Sequence, residues 1–232
     1  MTVDHSQTYR KVTFRNIFHI LRLKKILSTC DKLLKDKNIK VYADFGCSNG
    51  YITSIISNRY SMNRVYGYDH NEENLSQGKK LYPIINFASI DLNSGSHIEE
   101  KFEFITCFEC LEHVGNINNA LFSICDSITE DGIILITVPI EIGMIGIIKF
   151  LFKIIFLKYS LKELSGIKRN NYLMALLKNK RMSTFRKERN GWGTHFGFDY
   201  RDIDEFLKRA PCTYKTFNFL TSRFYIVYKR IK

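Results

Sequence analysis

The chain has 232 residues, 45% hydrophobic and 25% charged, with a formal net charge of +12. This is enough apolar material for one cored domain with an insertion or cap, and the six cysteines show no paired framework, which excludes a disulfide-stapled scaffold. The positive excess selects an anionic partner (nucleic acid, an acidic membrane surface or a phosphorylated molecule), although a Lys-, Ile- and Asn-rich composition produces the same charge. The first twenty residues lack a long apolar core and a small-residue cleavage site, so a reduced cytoplasmic compartment is the expectation.

In chain order, residues 1–10 read as a loose polar arm. From 12 to 37 apolar residues recur at helical spacing (Phe14, Ile17, Phe18, Leu21, Ile26, Leu33), which predicts one or two helices packed on a sheet. Strands are predicted over 40–45, 64–69, 84–88, 102–107 and 132–138, with helices between them. The last follows an Asp131-Gly132 turn and is a continuous apolar run, as a central buried strand requires. A helix over 200–209 precedes two alternating runs, 213–219 and 224–228, which read as a terminal antiparallel pair. The predicted fold is α/β: a Rossmann-like, doubly wound seven-stranded sheet with an antiparallel terminal strand pair and a helical insertion. It makes a single domain over 1–232, with an N-terminal helical segment at 1–37 and an insertion or lid at 141–190.

The first strand runs into Val41-Tyr-Ala-Asp-Phe-Gly-Cys-Ser-Asn-Gly50 and a helix start at Tyr51. A strand, a glycine loop and a helix N-terminus form a cofactor cradle. A dinucleotide fingerprint from Gly46 needs glycine at 48 and 51, where the chain has Ser48 and Tyr51. Asp44 would also repel a pyrophosphate, yet it suits a ligand bearing an ammonium and a sulfonium, as S-adenosylmethionine (SAM) does. The second strand ends in Asp69, placed to accept hydrogen bonds from ribose hydroxyls. A third acid, Asp91, is placed to meet an adenine edge.

After the fourth strand comes Phe108-Glu-Cys-Leu-Glu-His113. A helical turn starting near Glu109 puts Glu109, Glu112 and His113 on one face, where two carboxylates and an imidazole can bind a divalent cation or supply a general base. Cys107 and Cys110 form a lone C-x-x-C that reads as packing rather than zinc. His195 is a second candidate base, and Tyr9, Arg10 and Trp192 are candidate pocket residues. The stretch 142–157 is very apolar but short and interrupted by Lys149 and Lys153. It reads as a membrane-interface helix, a lid over the pocket or a subunit contact. The basic run 178–189 is either a solvated loop or a patch for phosphates on lipid or RNA.

Asp44-Phe-Gly-Cys-Ser-Asn-Gly50, Gly67-Tyr-Asp69 and Ile90-Asp91 together resemble class I SAM-dependent methyltransferases over roughly residues 38–140. The resemblance implies SAM as cofactor, held by Asp44, Gly46, Cys47, Ser48, Gly50, Asp69, His70, Asp91, Leu92 and Phe108. The E-x-x-E-H segment is similar to ubiquinone-biosynthesis O-methyltransferases. It is also similar to small-RNA 2′-O-methyltransferases, in which E-x-x-E-H and a later histidine bind magnesium; the later histidine here could be His195, although the apolar insertion lengthens the gap from His113. This implies catalytic roles for His113, Glu112 and His195, and a Mg2+ site of Glu109, Glu112 and His113. The expected activity is O-methylation of a small or lipid- or sugar-linked hydroxylated acceptor, with peripheral membrane contact through 142–157. An RNA 2′-O-methyltransferase is the alternative, which the basic run favours and the Ile-rich stretch opposes. A third reading, a non-catalytic SAM-binding interaction protein, gives no reason for Asp44, Asp69 and Asp91 to occur together.

Overall fold

The computed structural model describes residue 9 and residues 16–156, 169–186 and 191–229. The polar arm apart from Tyr9, Arg10, residues 12–15 of the N-terminal helical segment, and Lys187 and Arg189 of the basic run lie outside the described residues. Seven strands form one sheet: β1 (Val41–Phe45), β2 (Arg64–Asp69), β3 (Ile85–Ser89), β4 (Phe102–Phe108), β5 (Ile128–Pro139), β6 (Cys212–Phe219) and β7 (Ser222–Lys229). The order across the sheet is β3-β2-β1-β4-β5-β7-β6. The first five strands are parallel, and β7 lies antiparallel between β5 and β6. The predicted terminal pair is thus a hairpin turned by Leu220 and Thr221, and it supplies the antiparallel end of the sheet.

Side-chain alternation along each central strand feeds two layers of core, as a sheet covered on both faces requires. Tyr42, Phe104, Ile133 and Leu135 face one side. There they meet Ile26 and Cys30 of α1 (Ile17–Leu33), Ile56 of α2 (Tyr51–Arg59) and Leu75 of α3 (Glu72–Leu81). Ala43, Phe45, Ile105, Ile134 and Ile136 face the other side, toward Leu121 and Ile124 of α4 (Ile117–Asp126). β5 starts earlier than predicted. The Asp131-Gly132 turn is a bulge inside the strand, because Phe102 pairs Ile128 while Phe104 already pairs Ile133.

The insertion carries its own small core. In it Ile142 and Phe150 of the α5 region (Gly143–Phe156) meet Tyr172, Ala175 and Leu176 of α6 (Arg169–Leu177), together with Met182. Lys149 and Lys153 turn inward and pair with Glu141 at 2.9 and 3.5 Å. The outward stripe of α5 is apolar instead, with Met144, Ile148 and Ile155 between 60 and 72% exposed. No helix among the described residues is long and apolar enough to cross a membrane. The helix predicted at 200–209 is α7 (Arg201–Arg209), and its Ile203 and Leu207 join the second core layer.

Sheet order fixes where a ligand can sit. The chain runs outward from β1 to β3 and then returns to the far side of β1 as β4. The loops after β1 and β4 therefore diverge and leave a crevice at their carboxyl ends.

Candidate active site

The β1 loop turns on two glycines in left-handed conformation, Gly46 at φ +77° and Gly50 at +79°. A Cβ on Gly46 would lie 2.5 Å from Cys110 Sγ, and one on Gly50 would lie 2.5 Å from the Phe87 ring. The loop can therefore lie flat on the sheet only with glycine at both places. Asp69 closes it from the next strand, where Oδ2 accepts from the Ser48 N–H at 2.8 Å and Oδ1 from the Asn71 N–H at 2.9 Å. Asp44 lies beneath, accepting from the Thr106 hydroxyl at 2.7 Å and the Thr53 hydroxyl at 2.6 Å. Burial pushes its carboxyl up to about 6, against those two hydroxyls.

A cavity of about 480 Å³ opens over this loop, within the range of small-molecule sites. Asp44, Gly46, Cys47, Ser48, Asp69, His70 and Phe108 line it, as do Glu109, Glu112, His113, His195, Tyr9 and Trp192. Gly50, Asp91 and Leu92 do not. Gly50 acts through its backbone as the N-cap of α2. Asp91 turns its carboxylate onto its own chain, accepting from the backbone and side-chain nitrogens of Asn93 at 3.0 Å. Leu92 is buried in the core. His19 and Arg22 of α1, and Asn49, Tyr51, Asn71 and Asn74, are wall residues that the sequence reading did not single out. The motif loop and the acid ending β2 would have pointed to the last four as neighbours. For the two α1 residues a helical period carries no sign of what the helix covers.

The turn after β4 departs from the expected geometry. Glu109 sits at φ +48°, and a turn, not a helix, carries Leu111 to His113, so Glu109, Glu112 and His113 share no helical face. Glu109 instead pairs with Arg22 of α1 at 2.9 Å. Burial raises its carboxyl, partly offset by that guanidinium. The group that converges is Glu112, His113 and His195, each offering one ligand atom within 4.8 Å of the others.

His195 arrives there because segment 191–195 is strapped to the β4 turn. The Gly115 N–H donates to the Gly191 carbonyl at 2.9 Å, the Gly193 N–H donates to the His113 carbonyl at 2.7 Å, and Val114 bridges Trp192. Arg186, from the basic run, donates to the carbonyls of Glu112 and Val114 at 2.8 and 2.7 Å. His113 Nδ1 lies 2.9 Å from the Gly193 carbonyl. A carbonyl only accepts, so Nδ1 carries the proton and the neutral ring keeps its Nε2 lone pair.

The environment sets the charges. Glu112 is wholly buried, and neither carboxylate oxygen has a hydrogen-bond partner among the described residues. Burial, then Glu109, push it well above the ordinary carboxylate range. Burial, then the His113 ring 4.5 Å away, bring His195 down to about 3, so it is neutral at pH 7. No disulfide joins any of the six cysteines, and Cys107 and Cys110 are buried.

A family model described as a methyltransferase domain matches residues 14–202. Among curated proteins none matches the chain in sequence. Solved structures share the fold. An S-adenosylmethionine-dependent methyltransferase from Clostridium acetobutylicum is 13% identical with TM-score 0.61, covering 97% of this chain and 98% of that one. The plantazolicin methyltransferase BpumL, solved with a pentazolic desmethylPZN analog and SAH, is 14% identical with TM-score 0.60, covering 97% and 89%. Magnesium protoporphyrin IX methyltransferase from Synechocystis PCC 6803, solved with SAH, is 14% identical with TM-score 0.58, covering 97% and 92%.

Proposed function

Because the chain belongs to the methyltransferase-domain family, we propose that it moves a methyl group from SAM to the oxygen of a small or lipid- or sugar-linked hydroxylated acceptor. The observation that carries this reading is one cavity lined by Asp44, Asp69 and the glycine loop together with His113 and His195. The loop also fits a polar ligand: Ser48 Oγ and Asn49 Oδ1 are buried and have no hydrogen-bond partner among the described residues.

When bound, SAM supplies a methyl on a positively charged sulfur, open to in-line displacement. Asp69 would hold the ribose hydroxyls and Asp44 the ammonium. The walls hold the acceptor in line with the methyl, where orientation supplies much of the rate. The acceptor hydroxyl must shed its proton, and His113 Nε2 is placed to take it.

A second reading rests on Glu112. A buried carboxylate without a partner beside two imidazoles is a donor set suited to a divalent cation. Glu112, His113 and His195 would hold it, and a cation there would lower the pKa of a hydroxyl. Glu109, paired with Arg22, would stand outside that set.

The insertion supports one acceptor class over another. The outward apolar stripe of α5 favours an amphiphilic acceptor at a membrane surface over RNA, which asks for basic and aromatic contacts. Transfer of labelled methyl from SAM into a cell extract, with and without chelator, tests both points. Label in the solvent-extractable fraction, insensitive to chelator, is the expected result. Label in short RNA, lost on chelation, replaces this reading with the alternative.

Asp44 gives the reaction a pH signature. The carboxylate, not the acid, attracts an ammonium, and the free group titrates at about 6. Binding of S-adenosylhomocysteine (SAH), the demethylated product, is therefore expected to be flat above pH 7 and to weaken about tenfold per pH unit below 6. Calorimetry across pH 5–8 checks this, and Asp44→Asn should flatten the profile at the weak end.

A further inference from the structure

The cavity contains a flat bicyclic ring system of its own. The indole of Trp192 lies on the imidazole of His70, ring centroids 3.8 Å apart and planes within 12°. His70 directly follows Asp69, so the stack sits beside the acid assigned to the ribose hydroxyls, within reach of a base attached to that ribose. Rings at 3.8 Å are already in contact, and a base between them would need about twice that separation. The indole and an incoming purine therefore compete for one face of His70.

Trp192 is also not an independent side chain. Its backbone bridges Val114, and its neighbours Gly191 and Gly193 hydrogen-bond to Gly115 and His113. His113 Nδ1 is held by the Gly193 carbonyl, and His195 follows two residues later. A displacement that moves the Trp192 backbone therefore also moves the segment that positions both histidines.

We propose that Trp192 is a displaceable stand-in for the cofactor's purine. The base takes the indole's place on His70, and the movement is passed through 191–195 to the His113–His195 pair. Trp192 is on this account a positioning residue that couples cofactor occupancy to the arrangement of the acceptor end. The inference rests on the SAM reading above and adds to it a self-inhibited cofactor site.

SAH titration tests it, followed in parallel by calorimetry and by tryptophan emission. The chain has one tryptophan, so all indole emission reports Trp192. The expected result is a saturable emission change in the wild type with the calorimetric midpoint. Trp192→Ala, relieved of the stack, should bind SAH about 2- to 12-fold more tightly. Trp192→Phe, which keeps a ring on His70, should return affinity toward wild type. A purely structural role would weaken binding in the alanine variant. Emission that stays constant while calorimetry registers binding, or equal or weaker binding by Trp192→Ala, overturns the proposal. SAH bound by neither protein overturns the SAM reading itself, and the stand-in with it.

Discussion

Replacing Asp69 by alanine is expected to weaken SAH binding by about 10²- to 10⁴-fold, measured by calorimetry. Two hydrogen bonds from ribose hydroxyls to a charged acceptor are worth roughly 1.5–3 kcal/mol each, which gives that range. The same carboxylate accepts from the Ser48 and Asn71 N–H groups, so its loss also loosens the glycine loop. Asp69→Asn keeps one acceptor oxygen and the side-chain shape, but it loses the charge and turns an amide NH2 toward one of the two N–H donors. Asn is therefore expected to recover only part of the affinity, through the one loop bond and the one ribose bond that its single oxygen can still accept. Unchanged SAH affinity in the alanine variant would sink the cofactor assignment outright.

The second large effect is expected at the other end of the cavity. His113→Ala should lower kcat by about 10²- to 10⁴-fold, the usual contribution of a positioned general base, while SAH affinity is largely kept. The reason is the tautomer: Nδ1–H is committed to the Gly193 carbonyl, so Nε2 is the nitrogen left to accept a proton. Glu112→Gln separates the proton-acceptor reading from the cation reading. Glutamine is neutral and of the same shape, and burial already disfavours the charged carboxylate. If His113 acts as base without a cation, Glu112→Gln should stay within a few-fold of wild type. A loss comparable to that of His113→Ala, in an enzyme already inhibited by chelator, would establish the cation reading. Full activity of His113→Ala would make the ring a clamp for segment 191–195 and nothing more.

The two ends of the cavity differ in how visible they were beforehand. The cofactor end is written in short windows of sequence. A strand needs only a run of β-branched and aromatic residues, and the left-handed backbone at 46 and 50 needs glycine. An acid at the end of a strand follows from counting along it. Asp44, Gly46, Ser48 and Asp69 were therefore legible, and all four line the cavity. Asp91 obeyed the same local rule and still turned away, because Asn93 two residues later offers it a nearer donor. Counting along a strand cannot exclude such a competing local bond.

The turn after β4 shows the opposite case. Helical spacing of Glu109, Glu112 and His113 implied a shared face, but the chain enters a left-handed residue at Glu109 and continues as a tight turn, not an α-helix. Arg22 of α1 then claims Glu109. Neither event has a signature within a window of ten residues.

By itself the sequence determined the parallel sheet, its antiparallel end, the glycine loop and the acids around it, because each depends on hydrophobic period or backbone sterics acting over a few residues. Tertiary structure alone decided that Trp192 lies on His70 and that Glu112 is buried without a partner among the described residues, and it brought His195, which the resemblance offered as a later ligand, to His113. Those contacts join positions about eighty residues or more apart: His113 and Gly193, for example, are separated by 80. They exist because the post-insertion segment hydrogen-bonds edge-on to the β4 turn, an interaction between backbones that any residue types can make and that therefore leaves little trace in the sequence.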